Sequence, residues 1–363
     1  MRVAFVSDWY LPRLGGIELQ MRDLAQRLLL QGCHVTVVTT TRGPDQADGI
    51  TVKRLDVPLV SGGFSVTPAL VREVRSALTE IRCDLLHVHM SIVSPLGYAA
   101  LAAARDLALP TLVTYHSVLG HSGVLLWMAD RIAGWSTSSK VAWSGVSDLV
   151  ASELRRALPR SAAVTLWNGV DPEFWRMAPD RDGNVVSIVS AIRLTRRKRP
   201  LALIRAFQKA QAMVPGTNLT LQIAGDGPER ALLQALIARH NLSRHITLLG
   251  LRSRENLRRL YASADIFVLP SRREAFGIAA LEARCAGLPV VAMRAAGCAD
   301  FLAPQDRPQL LAGDDSEMAR HIARLASDGV LRRELGEPDS GLSRFAWPQT
   351  IDRHLTLYRQ LMV

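Results

Sequence analysis

Apolar residues in the first half of the chain form short runs that alternate with longer stretches of helical spacing. The run at 2–8 (RVAFVSD) predicts a buried strand. The stretch at 16–32 predicts a helix, because its apolar residues recur every three or four positions until Gly32, a typical helix stop. The same alternation predicts further strands at 34–40, 84–89, 110–116, 141–147 and 163–170, and further helices at 66–82 and 94–108.

A second series of the same kind begins near Asn184. Its predicted strands are 185–192, 219–225, 246–250, 265–270 and 289–293. Its predicted helices are 200–213, 229–241, 254–264 and 278–287. Strands that alternate with helices at this spacing form parallel sheets covered by helices. The predicted fold class is therefore α/β, with two doubly wound, Rossmann-like parallel-sheet domains that face a central cleft.

The two series are joined by residues 168–184, a segment rich in Pro, Gly and Asp, as linkers between domains often are. A chain of 363 residues is also too long for one ordinary core. We predict a first domain over 1–178, a second over 179–345 and a final segment over 346–363. Ligands of doubly wound domains bind at the carboxyl ends of the strands, so we expect a site in the cleft.

The composition is that of a soluble globular protein, with 48% hydrophobic and 21% charged residues. The four cysteines are scattered and include no C-x-x-C pair, so we expect small buried residues of a reducing compartment and neither zinc nor disulfides. The first apolar run is too short for a signal peptide, and no run of about 18 apolar residues follows. We expect a cytoplasmic protein, with association at the inner face of the membrane left open.

The net charge of +11 predicts an anionic partner: a nucleotide, a phosphorylated substrate, a membrane surface or a nucleic acid. No recognition helix and no basic stretch interleaved with aromatic residues is evident, which disfavours nucleic acid. The stretch 121–135 (HSGVLLWMADRIAGW) is a candidate membrane-facing surface. The same pattern is also typical of an ordinary core helix, and we favour the core helix.

Glycines follow two of the predicted strands, at places where a ligand can approach the backbone. Gly15 and Gly16 open the first helix, whose N-terminus favours negative charge. Gly225 and Gly227 make a turn after the strand at 219–225. A plain tight turn explains either pair as well, and the absence of a complete G-x-G-x-x-G pattern disfavours a dinucleotide site of that type.

A basic stretch follows the first strand of the second series. Arg193 comes just past the strand, and Lys198 lies five residues on, before the next helix. Together they can hold a diphosphate, with Arg193 as a fork and Lys198 as a point charge. We interpret the neighbouring Arg196, Arg197 and Arg199 as solvated charge.

The segment 271–284 (SRREAFGIAALEAR) places two glutamates on either side of a glycine, at the junction of a strand and a helix. Glu274 leaves the strand, and Glu282 lies one to two turns into the helix. Amides at the helix start can bind an anion, while the carboxylates can accept hydrogen bonds from vicinal hydroxyls. This spacing suits a sugar nucleotide, although an exposed Glu274 and a locally paired Glu282 are the commoner outcome. The helix start comprises Phe276, Gly277 and Ile278.

Three histidines lie on or at the ends of predicted strands. His116 ends the strand at 110–116, where a structural role and contact with a substrate are about equally expected. His87 and His89 alternate along the preceding strand without a third ligand, so we favour packing in the sheet and predict no metal site.

Taken together and in order, the motifs resemble a known family. They are PRLGGIE at 12–18, TYH at 114–116, NGVDPEFW at 168–175, IRLTRRKRP at 192–200, IAGDGPER at 223–230 and PSRREAFGIAALEARCAGLPVVA at 270–292. This set resembles the retaining glycosyltransferases of family 4, which have the two-domain GT-B fold and include the phosphatidylinositol mannosyltransferases. The resemblance covers most of the chain. The stretch 345–361 resembles the family's last helix, which crosses back onto the first domain.

The resemblance implies a role for each candidate residue. Arg193 and Lys198 would hold the donor diphosphate. Glu274 would lie beside the donor sugar and its reacting carbon, Glu282 would bind the nucleotide ribose, and His116 would touch the sugar near its anomeric centre. The remaining donor-binding candidates are Gly15 and Gly16 over the diphosphate and near the acceptor, Gly225, and the amides of Phe276, Gly277 and Ile278.

The implied reaction moves a hexose from a UDP- or GDP-linked donor to an acceptor hydroxyl on a glycan, a lipid-linked molecule or a small molecule. The resemblance implies retention of the anomeric configuration, no cofactor and no metal, since basic side chains and helix ends would carry the charge of the leaving diphosphate. A donor phosphate oxygen would take the acceptor proton. From the residues alone Glu274 is a candidate nucleophile; the resemblance makes it an orienting and charge-stabilising group.

Two departures from the family pattern affect the donor side. Ala191 and Ile192 precede Arg193 where the family has glycine, and the loop 296–311 keeps one glycine, Gly297, with Asp300 in place of the usual glutamate. Contacts from this loop to the donor phosphates are therefore not predicted. Two other functions stay open: a nucleotide-sugar epimerase or phosphorylase on the same fold, and a non-catalytic basic protein that binds nucleic acid or membrane.

Overall fold

The computed structural model describes residues 1–56, 66–181, 183–338 and 340–363. The chain divides into two compact units, one made of Met1–Gly169 and Trp347–Val363 and the other of Val170–Ala346. Each unit contains one mostly parallel sheet with helices in the connections between its strands. The predicted α/β class with two doubly wound sheets is confirmed.

The first unit is built on an eight-stranded sheet. Its strands are β1 (Arg2–Val6), β2 (His34–Thr39), β3 (Gln46–Ala47), β4 (Ile50–Arg54), β5 (Leu85–Met90), β6 (Thr111–Tyr115), β7 (Val141–Gly145) and β8 (Val164–Thr165). In the order β3-β4-β2-β1-β5-β6-β7-β8, neighbours are parallel except β3 and β4. Every residue of β5 and β6 is buried, as in a sheet covered on both faces.

Local signals set where the helices of the first unit begin. Thr67 caps the second helix by accepting a hydrogen bond from the amide of Leu70, and Ser147 caps the fifth by accepting one from the amide of Val150. Gly32 follows the first helix with a φ of +75°, the left-handed conformation that ends helices. These helices are α1 (Gly16–Leu30), α2 (Pro68–Ile81), α3 (Pro95–Asp106), α4 (Ser122–Ala133) and α5 (Asp148–Ala157).

The second unit has a six-stranded, fully parallel sheet in the order β11-β10-β9-β12-β13-β14. Its strands are β9 (Val186–Ala191), β10 (Leu219–Ala224), β11 (Ile246–Gly250), β12 (Ile266–Leu269), β13 (Val290–Met293) and β14 (Leu311–Ala312). Its helices are α6 (Pro172–Trp175), α7 (Pro200–Met213), α8 (Arg230–Arg239), α9 (Arg254–Ala262), α10 (Ile278–Cys285), α11 (Arg307–Leu310), α12 (Asp315–Ser327) and α13 (Gly329–Gly336).

The last helix, α14 (Trp347–Met362), belongs to the first unit. The Arg27 guanidinium of α1 lies 4.2 Å from the ring centroid of Trp347. Farther along α14, the buried hydroxyl of Tyr358 lies 2.7 Å from Nδ1 of His87 in β5. The helix therefore completes the core of a unit whose other elements lie far away in sequence.

The first unit ends at Gly169 and not at residue 178, the predicted end of the first domain. The amide of Val170 donates to the carbonyl of Phe345, and the buried ring of Trp175 in α6 lies 5.5 Å from that of Tyr261. These contacts place the segment after Gly169 in the second unit, because a buried tryptophan outweighs the linker-like composition around it.

Helix α4 does not form the core helix that we favoured for residues 121–135. Leu126 and Asp130 are its buried residues, while most of its large apolar side chains are exposed. Periodicity predicts the helix but not which face a neighbour covers, and α5 covers the side that carries the small Gly123. The four cysteines are buried and free, as expected. Among the described residues, no helix combines the length and apolar character required to cross a bilayer.

Candidate functional site

The strand order points to one edge of each sheet. In the second unit the chain builds outward from β9 in one direction and then returns to place β12 on the other side of β9. At such a switch point the loops leave neighbouring strands toward opposite faces and open a crevice at their carboxyl ends. In the first unit the equivalent point lies between β1 and β5. The loops after β9 and β12 carry four of the candidates: Arg193, Lys198, Glu274 and Gly277.

The side chains of Lys198 and Glu274 form an ion pair at this switch point. The ammonium nitrogen lies 2.6 Å from Oε2 of the carboxylate, although the two residues are 76 positions apart. Their side chains are 30% and 14% exposed, so the pair is partly shielded from solvent yet reachable. A charge-assisted hydrogen bond of this kind holds both groups in place. The ammonium can bind a phosphate oxygen, and the carboxylate can accept from a hydroxyl.

The backbone around Glu274 is fixed by the neighbouring loop. The amide of Gly297 donates to the carbonyl of Glu274 at 2.9 Å. Gly277 has a φ of +85°, and a Cβ placed on it would lie 2.8 Å from Sγ of the buried Cys298. Glycine is therefore required at Gly277 both for its backbone conformation and for the close approach of the loop. The single-glycine loop, a departure from the family pattern, supports Glu274 through its backbone.

A buried aromatic cluster anchors the start of α10. Phe276 is 1% exposed, and its ring centroid lies 5.7 Å from that of Phe301 and 5.9 Å from that of Phe345. The next two residues are Gly277 and Ile278, the first residue of the helix. The first amides of a helix have no partner within it, so this helix start presents hydrogen-bond donors and a positive dipole end beside Glu274.

Glu282 lies apart from Glu274, in a buried position on α10. It is 7% exposed, so it is not a solvent-facing carboxylate. Burial raises the pKa of the Tyr261 hydroxyl well above its ordinary value, and the nearby charge of Glu282 raises it further. Burial and the same charge raise the pKa of Cys285 to about 12. The role implied for Glu282, binding the ribose, stays a prediction.

The loops after β9 and β10 are packed backbone to backbone. The amide of Leu194 donates to the carbonyl of Asp226 at 2.9 Å. A Cβ on Gly225 would lie 2.0 Å from the carbonyl oxygen of Ile192, and one on Gly227 would lie 2.5 Å from that of Leu194. The two glycines thus do more than make a tight turn: they let this loop support the loop that carries the exposed Arg193.

Arg199 is not solvated charge, and that interpretation was wrong. Its Nη2 donates to both carboxylate oxygens of Asp315, at 2.8 and 2.7 Å, and its Nη1 donates to the carbonyl of Pro270. These bonds tie the loop after β9 to the end of β12. Arg196 and Arg197 are exposed, as interpreted. The basic stretch therefore contains a structural arginine beside exposed arginines and the paired Lys198.

In the first unit His116 belongs to a cluster of histidines. Its Nε2 lies 3.0 Å from Nδ1 of His89, and the ring of His89 stacks near that of His87 with centroids 4.0 Å apart. Nε2 of His87 lies 2.8 Å from the hydroxyl of Thr114, so packing within the sheet, the interpretation we favoured for His87 and His89, is confirmed. A cavity of about 20 Å³ beside the cluster is lined in part by His89, His116, Asn168, Thr350 and His354.

Burial keeps these imidazoles neutral. It lowers the pKa of His116 to about 3 and that of His354 to about 4. The pKa values of His87 and His89 are lowered well below the ordinary range, first by burial and then by the neighbouring histidines. At neutral pH such a ring can donate or accept a hydrogen bond but does not hold a second proton. His116 is thus suited to contact a hydroxyl rather than to bind a phosphate.

Gly15 stands directly before α1 and leaves space for an acidic side chain. A Cβ on Gly15 would lie 2.4 Å from Oε2 of Glu18, which is 4% exposed and paired with Arg13 at 3.5 Å. Gly16, the first residue of α1, is exposed. Because Glu18 already brings negative charge to this helix start, the start of α1 is a weaker anion site than the start of α10.

Two family models match the chain one after the other. The model described as Glycosyltransferase Family 4 matches residues 14–174, and the model described as Glycosyl transferases group 1 matches residues 171–338. The chain belongs to glycosyltransferase family 4.

Relatives and solved structures agree with this family. The glycosyltransferase is 28% identical over 346 residues to a phosphatidylinositol N-acetylglucosaminyltransferase protein of Arabidopsis thaliana, across 90% of this chain and 74% of that protein. It is 27% identical over 398 residues to a GDP-mannose-dependent alpha-mannosyltransferase of Mycolicibacterium smegmatis, across 100% and 98% of the two chains. The crystal structure of Anabaena HepE with UDP and glucose matches with a TM-score of 0.77 at 20% identity, covering 99% of each chain. The fold is that of the GT-B glycosyltransferases.

Some residues that build the site of this glycosyltransferase were missed in the sequence. His354 joins the histidine cluster only because α14 packs on β6, and no spacing relates it to His116. Cys298 and Asp315 support Gly277 and Arg199 from distant parts of the sequence. A signal exists for Asp315 alone, since it begins a helix whose capping residue, Asp314, is evident from its type.

Proposed function

We propose that this glycosyltransferase moves a hexose from a UDP- or GDP-linked sugar to an acceptor hydroxyl, with retention of the anomeric configuration and without a bound metal. The observation that carries the proposal is the Lys198–Glu274 pair at the β9/β12 switch point. It sets a cation and a carboxylate side by side, next to the start of α10 and on the edge that carries Arg193. A diphosphate joined to a sugar needs both kinds of group within one ligand length.

The donor diphosphate would be held by Lys198, Arg193 and the first amides of α10. The ammonium offers a point charge and the guanidinium a fork, and the helix start adds its dipole. These groups can take the charge that develops on the leaving diphosphate, which is the role that supports a metal-independent reaction. Glu282 is proposed to accept from the nucleotide ribose.

The proposed reaction takes place on one face of the sugar. The acceptor oxygen forms a bond to the anomeric carbon while the bond from that carbon to the donor β-phosphate oxygen breaks, and the electron pair leaves with the nucleoside diphosphate. The acceptor proton passes to a donor phosphate oxygen. Glu274 orients a sugar hydroxyl and stabilises the positive charge on the anomeric carbon, and His116 is proposed to contact another hydroxyl as a neutral imidazole.

The names of the relatives select the first substrates to test. The Arabidopsis protein is named for phosphatidylinositol and N-acetylglucosamine, and the Mycolicibacterium protein for GDP-mannose. UDP-N-acetylglucosamine and GDP-mannose are therefore the first donors, and an inositol-bearing lipid is the first acceptor. A bound donor stabilises the fold by mass action, so a rise in thermal unfolding temperature identifies the accepted base.

The configuration of the released sugar tests the proposal without a known acceptor. With the donor that stabilises the fold, water acting slowly as acceptor should release the α-hexose first, as seen by proton NMR before mutarotation. EDTA at millimolar concentration should not change the rate. Initial release of the β-hexose would contradict retention, and loss of activity in EDTA that added metal restores would contradict metal independence. Conversion of the nucleotide sugar into its epimer would contradict transfer altogether.

A further inference from the structure

Helix α4 presents an apolar surface to solvent. Ile132 is 89% exposed and Leu125 67% exposed, values far above those of ordinary helix residues of their type. Their neighbours on the helix are exposed as well, so the apolar residues form one continuous surface. This surface, named the α4 face, consists of Val124, Leu125, Trp127, Met128 and Ile132.

The packing of α4 is the reverse of an ordinary surface helix. A Cβ on Gly123 would lie 3.7 Å from Cβ of Ala157, so α5 approaches the small side of the helix. The buried Asp130 lies on the protein side, where it accepts a hydrogen bond of 2.7 Å from the amide of Ser136. In an amphipathic helix that meets only its own protein the apolar face turns inward. Here it turns outward, which indicates a partner with an apolar interior.

Exposed positive charge accompanies the α4 face. The Arg131 guanidinium lies 5.4 Å from the ring centroid of Trp127, and the exposed Arg105 donates to the carbonyl of Ala133 at the end of the helix. The acidic residue of the stretch 121–135 is Asp130, which is buried and hydrogen-bonded. The partner of this surface should therefore carry negative charge beside its apolar part.

We infer that the α4 face docks the chain on the surface of an anionic lipid bilayer. The bilayer interface offers apolar chains beneath negatively charged headgroups, which matches an apolar helix face flanked by arginines with a tryptophan beside them. A helix of 12 residues can lie in the plane of the interface without crossing it. The inference does not depend on the reaction proposed above, because it rests on exposure and charge alone.

A second exposed apolar group lies on the same edge of the sheet as the start of α4. Trp9 and Leu14, in the loop after β1, are 43% and 59% exposed. In the strand order β1-β5-β6 the carboxyl ends of these parallel strands meet at one edge, and α4 begins after β6. Docking through the α4 face would thus turn toward the lipid the edge at which doubly wound domains bind ligands.

Flotation of the full chain with vesicles tests the inference. The wild-type protein should float with vesicles of equal parts phosphatidylglycerol and phosphatidylcholine, and much less with phosphatidylcholine alone. The double variant Leu125→Glu, Ile132→Glu should bind the anionic vesicles at least about tenfold more weakly, since two buried aliphatic side chains are lost and negative charge is added. Both positions are exposed, so the variant should keep the wild-type unfolding temperature.

The matched control is Leu30→Glu, Leu232→Glu, which makes the same kind of change at exposed positions of 82% and 58% on other helices. This control should bind as the wild type does. Equal loss in both double variants, or no flotation of the wild type, would overturn the inference. So would equal flotation with neutral vesicles. If light scattering instead shows a dimer that only the α4 variant disrupts, the face is an interface between two copies and the inference is overturned.

Discussion

Replacing Lys198 with alanine is expected to lower kcat/KM for the donor by about a thousandfold, as when a donor to a developing anion is removed. The ammonium is partly shielded from solvent and held 2.6 Å from the Glu274 carboxylate, so its charge acts at a fixed position. Initial rates with the nucleotide sugar selected by thermal shift measure the loss. The unfolding temperature of the variant should stay close to that of the wild type.

The control for Lys198 lies on the same turn. Arg197→Ala removes one positive charge from an exposed neighbour and should change kcat/KM by less than about twofold, because exposed charges are screened. Glu274→Gln should lower kcat strongly while donor affinity changes little, since this carboxylate is assigned to the sugar and not to the phosphates. Equal losses in the Lys198 and Arg197 variants, or a wild-type rate in Glu274→Gln, would contradict the assignment.

Acidification is expected to destabilise the first unit through its buried histidines. Burial lowers the pKa of His354 to about 4, whereas in the unfolded chain it returns to about 6.5. Between these values the unfolded state binds a proton that the folded state does not, so the stabilisation present above pH 6.5 is lost as the pH falls toward 4. At pH 5 this one residue lowers the free energy of unfolding by about 2 kcal/mol.

Urea unfolding at pH 7.5 and pH 5.0 measures this effect. The fall in the free energy of unfolding between the two pH values should be about 2 kcal/mol smaller in His354→Gln than in the wild type. His34→Gln changes an exposed histidine of the same unit and should leave the wild-type difference unchanged. If His354→Gln shows the full wild-type difference, His354 is not the group that titrates.

Much of the fold follows from local patterns in the sequence. Helix α7 occupies Pro200–Met213, the range that its apolar spacing and initial proline predict. The helices α5, α12 and α13 and the strand β4 were not predicted, although Asp314 accepts two hydrogen bonds at the start of α12 as a capping residue does. Exposure was the main error: the apolar spacing of α4 predicts a helix, but only the packing against α5 decides which side is covered.

The candidate site was predictable to the extent that strands place it. Residues at the carboxyl ends of parallel strands meet at one edge, so Arg193, Lys198 and Glu274 could be grouped from the strand assignments. Their pairing could not be predicted, because the 2.6 Å contact depends on how two distant loops pack. The bond between Arg199 and Asp315 and the neutral cluster around His116 depend on long-range packing in the same way.

A crystal structure with the bound nucleotide diphosphate tests the central claim most directly. We predict the diphosphate at the carboxyl ends of β9 and β12, within hydrogen-bond distance of Lys198 and Arg193 and at the start of α10. The ribose should lie within reach of Glu282. A diphosphate bound elsewhere, with Lys198 and Glu274 still paired and without contact to it, would contradict the proposed donor site.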